Sequence, residues 1–479
     1  MTMESDSLSS NEPKPVPITS PELPEWADDP ANAQNWGIQK KLYNTAIPSI
    51  LCLLISFGLA IYSPSHGHVQ AAFHTSSTKS LLPFTMYVYG LAFGPMIAAP
   101  ISETYGRRFI YIVMTPLAML FILGAGFSNN LASLTVCRLL AGMFISAPLA
   151  VGAGTIMDMW SGPATGRGVT ILMTIAFMGP AIGSLVGGWV AEYKSWRWSQ
   201  WTTLFLGAAC WAFSAGAQES YARPILHRRA VRLGLPVPPS PIPGGLAGVK
   251  MMLTVTLARP VYMLLTEPIV ALCSLYSSLN FSVLFCFLAC VPLVYTNVYG
   301  FTPGQCGLVF ISLALGCALG CLGLLVADQY TMALHRRHHP EGTPPPPERV
   351  LWAAMLASPW MPVALFWFAW TSTPDVHWMS SIVAIGLFGC SNIMIFVSTA
   401  LYLTRVYGAQ FGASALAANG LLRYGIGGSF PLFTLAMYHN LGYSWASSLL
   451  GFLAVVFAPL PWLFFRLGSR IRKHSAYSS

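Results

Sequence analysis

The stretch Val169-Thr-Ile-Leu-Met-Thr-Ile-Ala-Phe-Met-Gly179-Pro180-Ala-Ile-Gly183-Ser184-Leu-Val-Gly187-Gly188-Trp-Val-Ala191 contains no charged side chain. Coiled as an α-helix it would be about 34 Å long, enough to cross the roughly 30 Å hydrocarbon core of a bilayer. Gly179, Gly183 and Gly187 recur every fourth residue, with Gly188 beside them. They leave one helix face bare, against which a second backbone can pack closely. Pro180 adds a site for a kink. Such a face serves helices that slide past one another and helices that are simply packed tightly, so it allows motion without requiring it.

Similar apolar runs recur along the chain. Spans are expected near Ala46–Ser63, Leu81–Ile101, Phe109–Phe127, Leu131–Met157, Val169–Ala191 and Trp201–Ala217. A second set is expected near Pro268–Tyr295, Gly304–Ala327, Val350–Trp370, Trp378–Leu401, Ala413–Tyr438 and Tyr443–Phe465. The implied organisation is a disordered cytosolic N-terminal tail (1–44), a six-helix bundle (45–217), a cytosolic linker (218–267), a second six-helix bundle (268–465) and a cytosolic C-terminal tail (466–479). Residues before Lys40 are polar, acidic and rich in proline, without the apolar core of a cleaved signal peptide. Lys and Arg collect on alternate loops: Arg107, Arg108, Arg167, Arg228, Arg229, Arg336, Arg337 and Arg405 on one side, but only Lys79, Lys194 and Arg197 on the other. The positive-inside rule then puts both chain ends in the cytosol.

Composition agrees. Of the 479 residues, 54% are hydrophobic and 9% charged, with a mean hydropathy of +0.58. Soluble domains carry about 25% charged residues. The net charge of +9 follows the loops and is not gathered on a soluble face, which argues against nucleic-acid binding. The ten cysteines show no metal-ligand spacing and read as small apolar packing residues. No phosphate-binding loop, dinucleotide fingerprint, zinc-protease or nucleophile-elbow motif occurs, so neither an enzyme nor a cofactor is expected.

Three features carry mechanism. Between the second and third spans lies Gly94-Pro-Met-Ile-Ala-Ala-Pro100-Ile-Ser-Glu103-Thr-Tyr-Gly106-Arg107-Arg108. Gly106 permits a tight turn, and Glu103 is expected to pair with the arginines or with a helix N-terminus across the cytosolic face, as a latch between helices; an ordinary charged loop would look similar. Two arginines, Arg138 and Arg423, fall within spans, where each costs on the order of 2.5–3.5 kcal/mol unless it faces an interior cavity. Arg138 is a candidate for an anionic substrate group or a charge relay, the alternative being an arginine that snorkels to an interface. Every carboxylate outside the tails, including Glu103, Asp158, Glu192, Asp328 and Asp375, lies in a loop or near a span end. A mid-span proton carrier is therefore not visible, and Asp158 is the best coupling candidate, ahead of His66 and His68.

These residues resemble the major facilitator superfamily, and within it the fungal drug:proton antiporters with twelve spans. The resemblance rests on Asp29-Pro30 with Asn35-Trp36, on the Pro100–Arg108 loop, and on Arg138. Gly179 to Gly188 matches the antiporter motif, with Ser184 where proline is usual. Trp196-Arg197-Trp198, Arg259-Pro260, Glu267-Pro268, Phe366 to Thr371 and Ser414 to Asn419 complete it. It implies an all-α polytopic fold of twelve helices in two six-helix bundles around a central cavity. It also implies alternating access, with the first, fourth, seventh and tenth spans lining the cavity. Two departures remove negative charge: Ala289 and Arg405 stand where relatives often carry a glutamate and an aspartate.

The resulting expectation is a secondary transporter exporting a lipophilic neutral or anionic small organic molecule, such as a fungal secondary metabolite, toxin or drug, by proton antiport. The expected pocket draws on Arg138, Phe144, Tyr276, Asn280, Phe281 and Asn392. Asp158 and Arg138 are expected to couple protons. Glu103, Gly106, Arg107, Arg108, Gly179, Pro180, Gly183, Gly187 and Gly188 are expected to gate. The expected partners are the substrate, the bilayer and protons, with no metal and no nucleic acid, in a monomer at the plasma membrane. The alternatives are an organelle carrier or facilitator of a biosynthetic intermediate and, third, a nontransporting sensor.

Overall fold

The computed structural model describes residues 26–235, 254–338, 345–473, 475 and 477. Twelve long helices follow one another. In the first half these are α1 (Ile38–Ala60), α2 (Leu82–Tyr105), α3 (Arg107–Gly126), α4 (Leu131–Met159), α5 (Pro163–Tyr193) and α6 (Arg197–Ser214). In the second they are α7 (Pro268–Tyr299), α8 (Pro303–His338), α9 (Pro347–Thr371), α10 (Met379–Gly408), α11 (411–441) and α12 (443–472). The chain from Met379 to Phe457 stays helical through the last three, broken only at Gly408 and at Gly442. Gly442 has φ 76°, a conformation that an L side chain resists, and there the chain reverses from α11 into α12.

By length and composition, ten stretches among the described residues could cross a membrane, one of them the combined α11–α12 segment Phe411–Arg472. The remaining helix, α6, opens with Arg197, Ser199 and Gln200, which dilute its apolar density. Local signals start the helices. The Asn130 side chain accepts from Ser133 N at 2.7 Å to begin α4, and Thr302 and Gln305 form a reciprocal capping box at the start of α8.

The ends of the chain depart from expectation. Residues 1–25 lie outside the described residues; 26–37 are folded, and α1 begins at Ile38, within the stretch 1–44 expected as the tail. Asn32 Nδ2 donates to Trp26 O at 3.0 Å, and Trp36 packs with Met159. Asp29 pairs with Arg229, whose donated hydrogen bond holds the Asp29 carboxyl below its ordinary range. Arg229 belongs to an amphipathic helix, Ala222–Leu233, inside the stretch expected to be a plain linker. A second helix, Arg259–Thr266, ends that stretch; the proline-rich segment before Pro243 falls in 236–253, outside the described residues. At the other end α12 continues to Arg472, past the expected boundary at 466, because Arg472 donates to Glu348 Oε1 at 2.7 Å.

Small residues decide which helices touch. A Cβ added at Gly179, Gly183 or Gly187 would stand 2.8, 2.7 and 2.7 Å from the carbonyl oxygens of Leu53, Phe57 and Ile61, so the glycine face of α5 seats α1. Gly90 and Gly94 of α2 meet the α4 backbone at Leu139 and Met143. In the second half, Gly316 and Gly320 of α8 meet α10 at Gly386 and Cys390 in the same way, so the pair α2–α4 is repeated as α8–α10. Between the halves, α2 packs on α11, where Gly428 lies against Val88, and α5 packs on α8, where Gly188 lies against Pro303 and Gly307. The apolar window of α7 is 89% buried and that of α3 39%, which puts α7 at the centre and α3 at the rim. Leu315, Leu319, Leu322 and Val326 form an exposed stripe down α8, the pattern of a lipid-facing surface.

Candidate substrate chamber and terminal latch

Among the described residues Arg138 is the largest fully buried side chain. Its Nη1 donates to Gly58 O of α1 at 2.8 Å, while Nε and Nη2 have no partner. The guanidinium lies 4.3 Å from the ring of Tyr87 and 5.1 Å from that of Tyr62. Both hydroxyls are turned to backbone, Tyr87 Oη donating to Ile55 O and Tyr62 Oη to Ser80 O. The rings therefore supply their π faces, which stabilise a cation without neutralising it. Leaving charged donors unpaired in a buried site is costly, so the arrangement stores the capacity to bind an acceptor.

Arg423 on α11 repeats the arrangement in the second half. Its guanidinium lies 4.4 Å from Phe281, 4.7 Å from Phe396 and 4.4 Å from Tyr424, and its buried Nε has no partner. Phe281 is the hub, with Phe177 of α5 at 5.3 Å, Phe396 at 5.3 Å and Phe285 at 5.7 Å. Phe285 meets Phe84 of α2 at 5.8 Å, one turn from Tyr87, so an aromatic wall runs from one arginine cage to the other across the interface. Among the described residues no carboxylate bonds to either arginine.

The expected pocket residues divide. Arg138 and Phe281 lie in these cages. Asn280 and Asn392 are buried beside them and joined to each other, Asn392 Nδ2 donating to Asn280 O at 3.0 Å, each with an unpartnered Oδ1. Phe144 and Tyr276 do not join them. The Phe144 ring stacks on Phe121 of α3 at 5.5 Å, and the Tyr276 ring stacks on Phe457 of α12 at 6.1 Å. Helical geometry explains the first: Phe144 lies six residues beyond Arg138, about 240° around the helix. Tyr62, Tyr87, Phe177, Phe396, Tyr424 and Arg423 enter instead. Of these only Arg423 had a signal in the sequence, its depth within a span.

The gate residues also divide. Both described chain ends lie at one face of the bundle, the terminal face, and there Gly106 turns with φ 101°. Arg107 Nε pairs with Asp158 Oδ2 at 3.1 Å and Nη1 donates to Ser102 Oγ at 2.7 Å. Glu219, just after α6, accepts from the backbone N–H groups of Arg107 and Arg108 at 2.9 and 3.2 Å. The expected partner, Glu103, is exposed on the last turn of α2; the turn points Arg107 inward toward α4 instead. Asp158 also accepts from Ser220 Oγ at 3.2 Å. It is thus a latch residue at the end of α4, about 30 Å along the helix from Arg138. Of the α5 motif, Gly179, Gly183 and Gly187, with the buried Pro180, hold α1 within their own half, and Gly188 alone faces the other half.

Comparison with known proteins matches residues 49–430 to the family model of the Major Facilitator Superfamily. The chain is 34% identical to the MFS-type transporter traF of Penicillium crustosum over 99% of this chain and 96% of that protein. It is 35% identical to the efflux pump FUBT of Fusarium oxysporum, over 94% and 77% respectively. Polyamine transporter 4 of Saccharomyces cerevisiae is 34% identical over 94% and 72%. The solved proton:xylose symporter XylE, bound to 6-bromo-6-deoxy-D-glucose, superposes with a TM-score of 0.65 at 12% identity, covering 90% of this chain and 97% of that one. At that identity the likeness concerns the fold: twelve helices in two six-helix bundles. The chain belongs to the Major Facilitator Superfamily and is a multi-pass membrane transporter.

Proposed function

We propose that this transporter exports a lipophilic small organic molecule carrying an acidic or neutral polar group, by alternating access of its two halves. One observation carries the reading: Arg138 and Arg423, one in each half, sit in connected aromatic cages with guanidinium nitrogens that meet no partner. Aromatic walls favour a lipophilic body, and the free donors favour an anionic or acceptor-rich head. A polycation would face two buried positive charges. The chamber therefore supports the efflux activity in the names of several relatives better than the polyamine transport in another.

The lysine and arginine bias of the loops places the terminal face in the cytosol, at the plasma membrane in this reading. Proton antiport would act through Asp158: its protonation removes one charge of the Arg107 pair and loosens the terminal latch, letting the halves rock. Three measurements on everted vesicles test the proposal. Arg138→Gln should reduce uptake of a lipophilic organic acid about tenfold, the loss of one charged hydrogen-bonding group. Equal uptake of polyamine and acid by the wild type would overturn the substrate class. Full uptake driven by a pH gradient in Asp158→Asn would remove that residue from coupling.

A further inference from the structure

A cavity opens at the terminal face, lined by none of the residues of the aromatic cages. It measures about 300 Å³ and lies between the start of α5, the end of α8, the start of α9 and the end of α10. Among the described residues three guanidinium groups line it, Arg167, Arg349 and Arg405, against one carboxylate, Asp328. That carboxylate is already engaged, because Arg349 Nη2 bonds Asp328 Oδ1 at 2.8 Å, and Arg349 Nη1 bonds Asp328 O and Thr331 Oγ1. Arg349 is only 6% exposed, yet its Nε meets no partner. Ser398, 1% exposed and also on the lining, has an unpartnered hydroxyl. Among the described residues Arg405 and Arg167 form no hydrogen bond or ion pair.

The lining thus carries a net charge of about +2, with buried donors left over and room for more than a water molecule. Guanidinium forks match the oxygens of a tetrahedral oxyanion, and a dianion balances the excess charge. We propose that this cavity binds a phosphate monoester dianion. Arg405 supplies the principal contact, with the Arg349 Nε and the Ser398 hydroxyl behind it. Arg167 reaches from the first half, whereas the other groups belong to the second. The bound anion therefore ties the halves together at the terminal face and favours the state closed there. The phosphate could come from a soluble metabolite or from a lipid headgroup, and the two sources are separable.

The test uses the full chain in nanodiscs of phosphatidylcholine, unfolding followed by a thiol-reactive dye that reports exposure of the buried cysteines. Inorganic phosphate, titrated against chloride at constant ionic strength, should raise the melting temperature of the wild type saturably. Arg405→Gln and the surface variant Arg167→Gln should each shift the half-saturating concentration upward, Arg405→Gln by about tenfold. A response seen only when phosphatidic acid is added to the nanodisc, and lost in the same variants, assigns the lipid source. No response in either arm overturns the site, as does an undiminished response in both variants. The readout involves no transported substrate, so its failure would leave the proposed export untouched.

Discussion

The fourth and tenth helices end at the same face, yet their last turns carry opposite charges. In the first half, Asp158 closes on Arg107 at 3.1 Å, and Glu219 takes up the backbone N–H groups beside it. There Arg107 has a carboxylate partner. In the second half, Arg405 stands at the end of α10 facing Arg349 and Arg167, and among the described residues the only carboxylate on the lining is already taken. One scaffold thus gives a shut latch on one side and an open, positive cavity on the other. What sets them apart is the sign of one side chain.

Exchanging that sign should break the comparison. Asp158→Arg has the largest expected effect: it removes the ion pair and sets two partly buried guanidinium groups against each other. A loss of about 2–4 kcal/mol is expected, read as a clearly lowered melting temperature in detergent. An unchanged melting temperature would mean that the latch contributes nothing. The reverse exchange, Arg405→Asp, should stabilise modestly, by about 0.5–1 kcal/mol, by giving Arg349 Nε and Arg167 a partner, while abolishing the phosphate response. Destabilisation would show that the cavity is held open by other forces. Glu103→Gln sharpens the contrast at the smallest scale. This carboxylate is exposed and bonds to neither arginine, so its change should stay within about 0.5 kcal/mol, although the sequence makes it the expected latch partner. A large effect would restore Glu103 to the latch.

The Glu103 case shows where sequence reasoning stops. The motif places a carboxylate and two arginines around a glycine turn, but the turn aims Arg107 away from its neighbour in sequence and toward α4. The carboxylates that answer, Asp158 and Glu219, lie 51 and 112 residues further on. No spacing rule joins groups so distant. The pocket shows the same limit. Arg138 stood out in the sequence because a charge deep in a span is unusual. Phe144 and Tyr276 stack on Phe121 and Phe457 because an aromatic on a buried helix can face its own bundle, and a ring's direction depends on where the neighbouring helices stand.

The sequence by itself determined the class of the molecule: apolar runs set by the thickness of a bilayer, basic residues gathered on alternate loops, glycine faces at helical period, and two arginines without a carboxylate at their depth. These are properties of single helices, written locally. Tertiary structure alone decided what meets what. It matched the α5 glycines to α1, gave each deep arginine an aromatic cage drawn from several helices, and left Arg405 facing a cavity where Asp158 has a partner. Such contacts join residues far apart in the chain, and they form only when helices pack at fixed positions around one another.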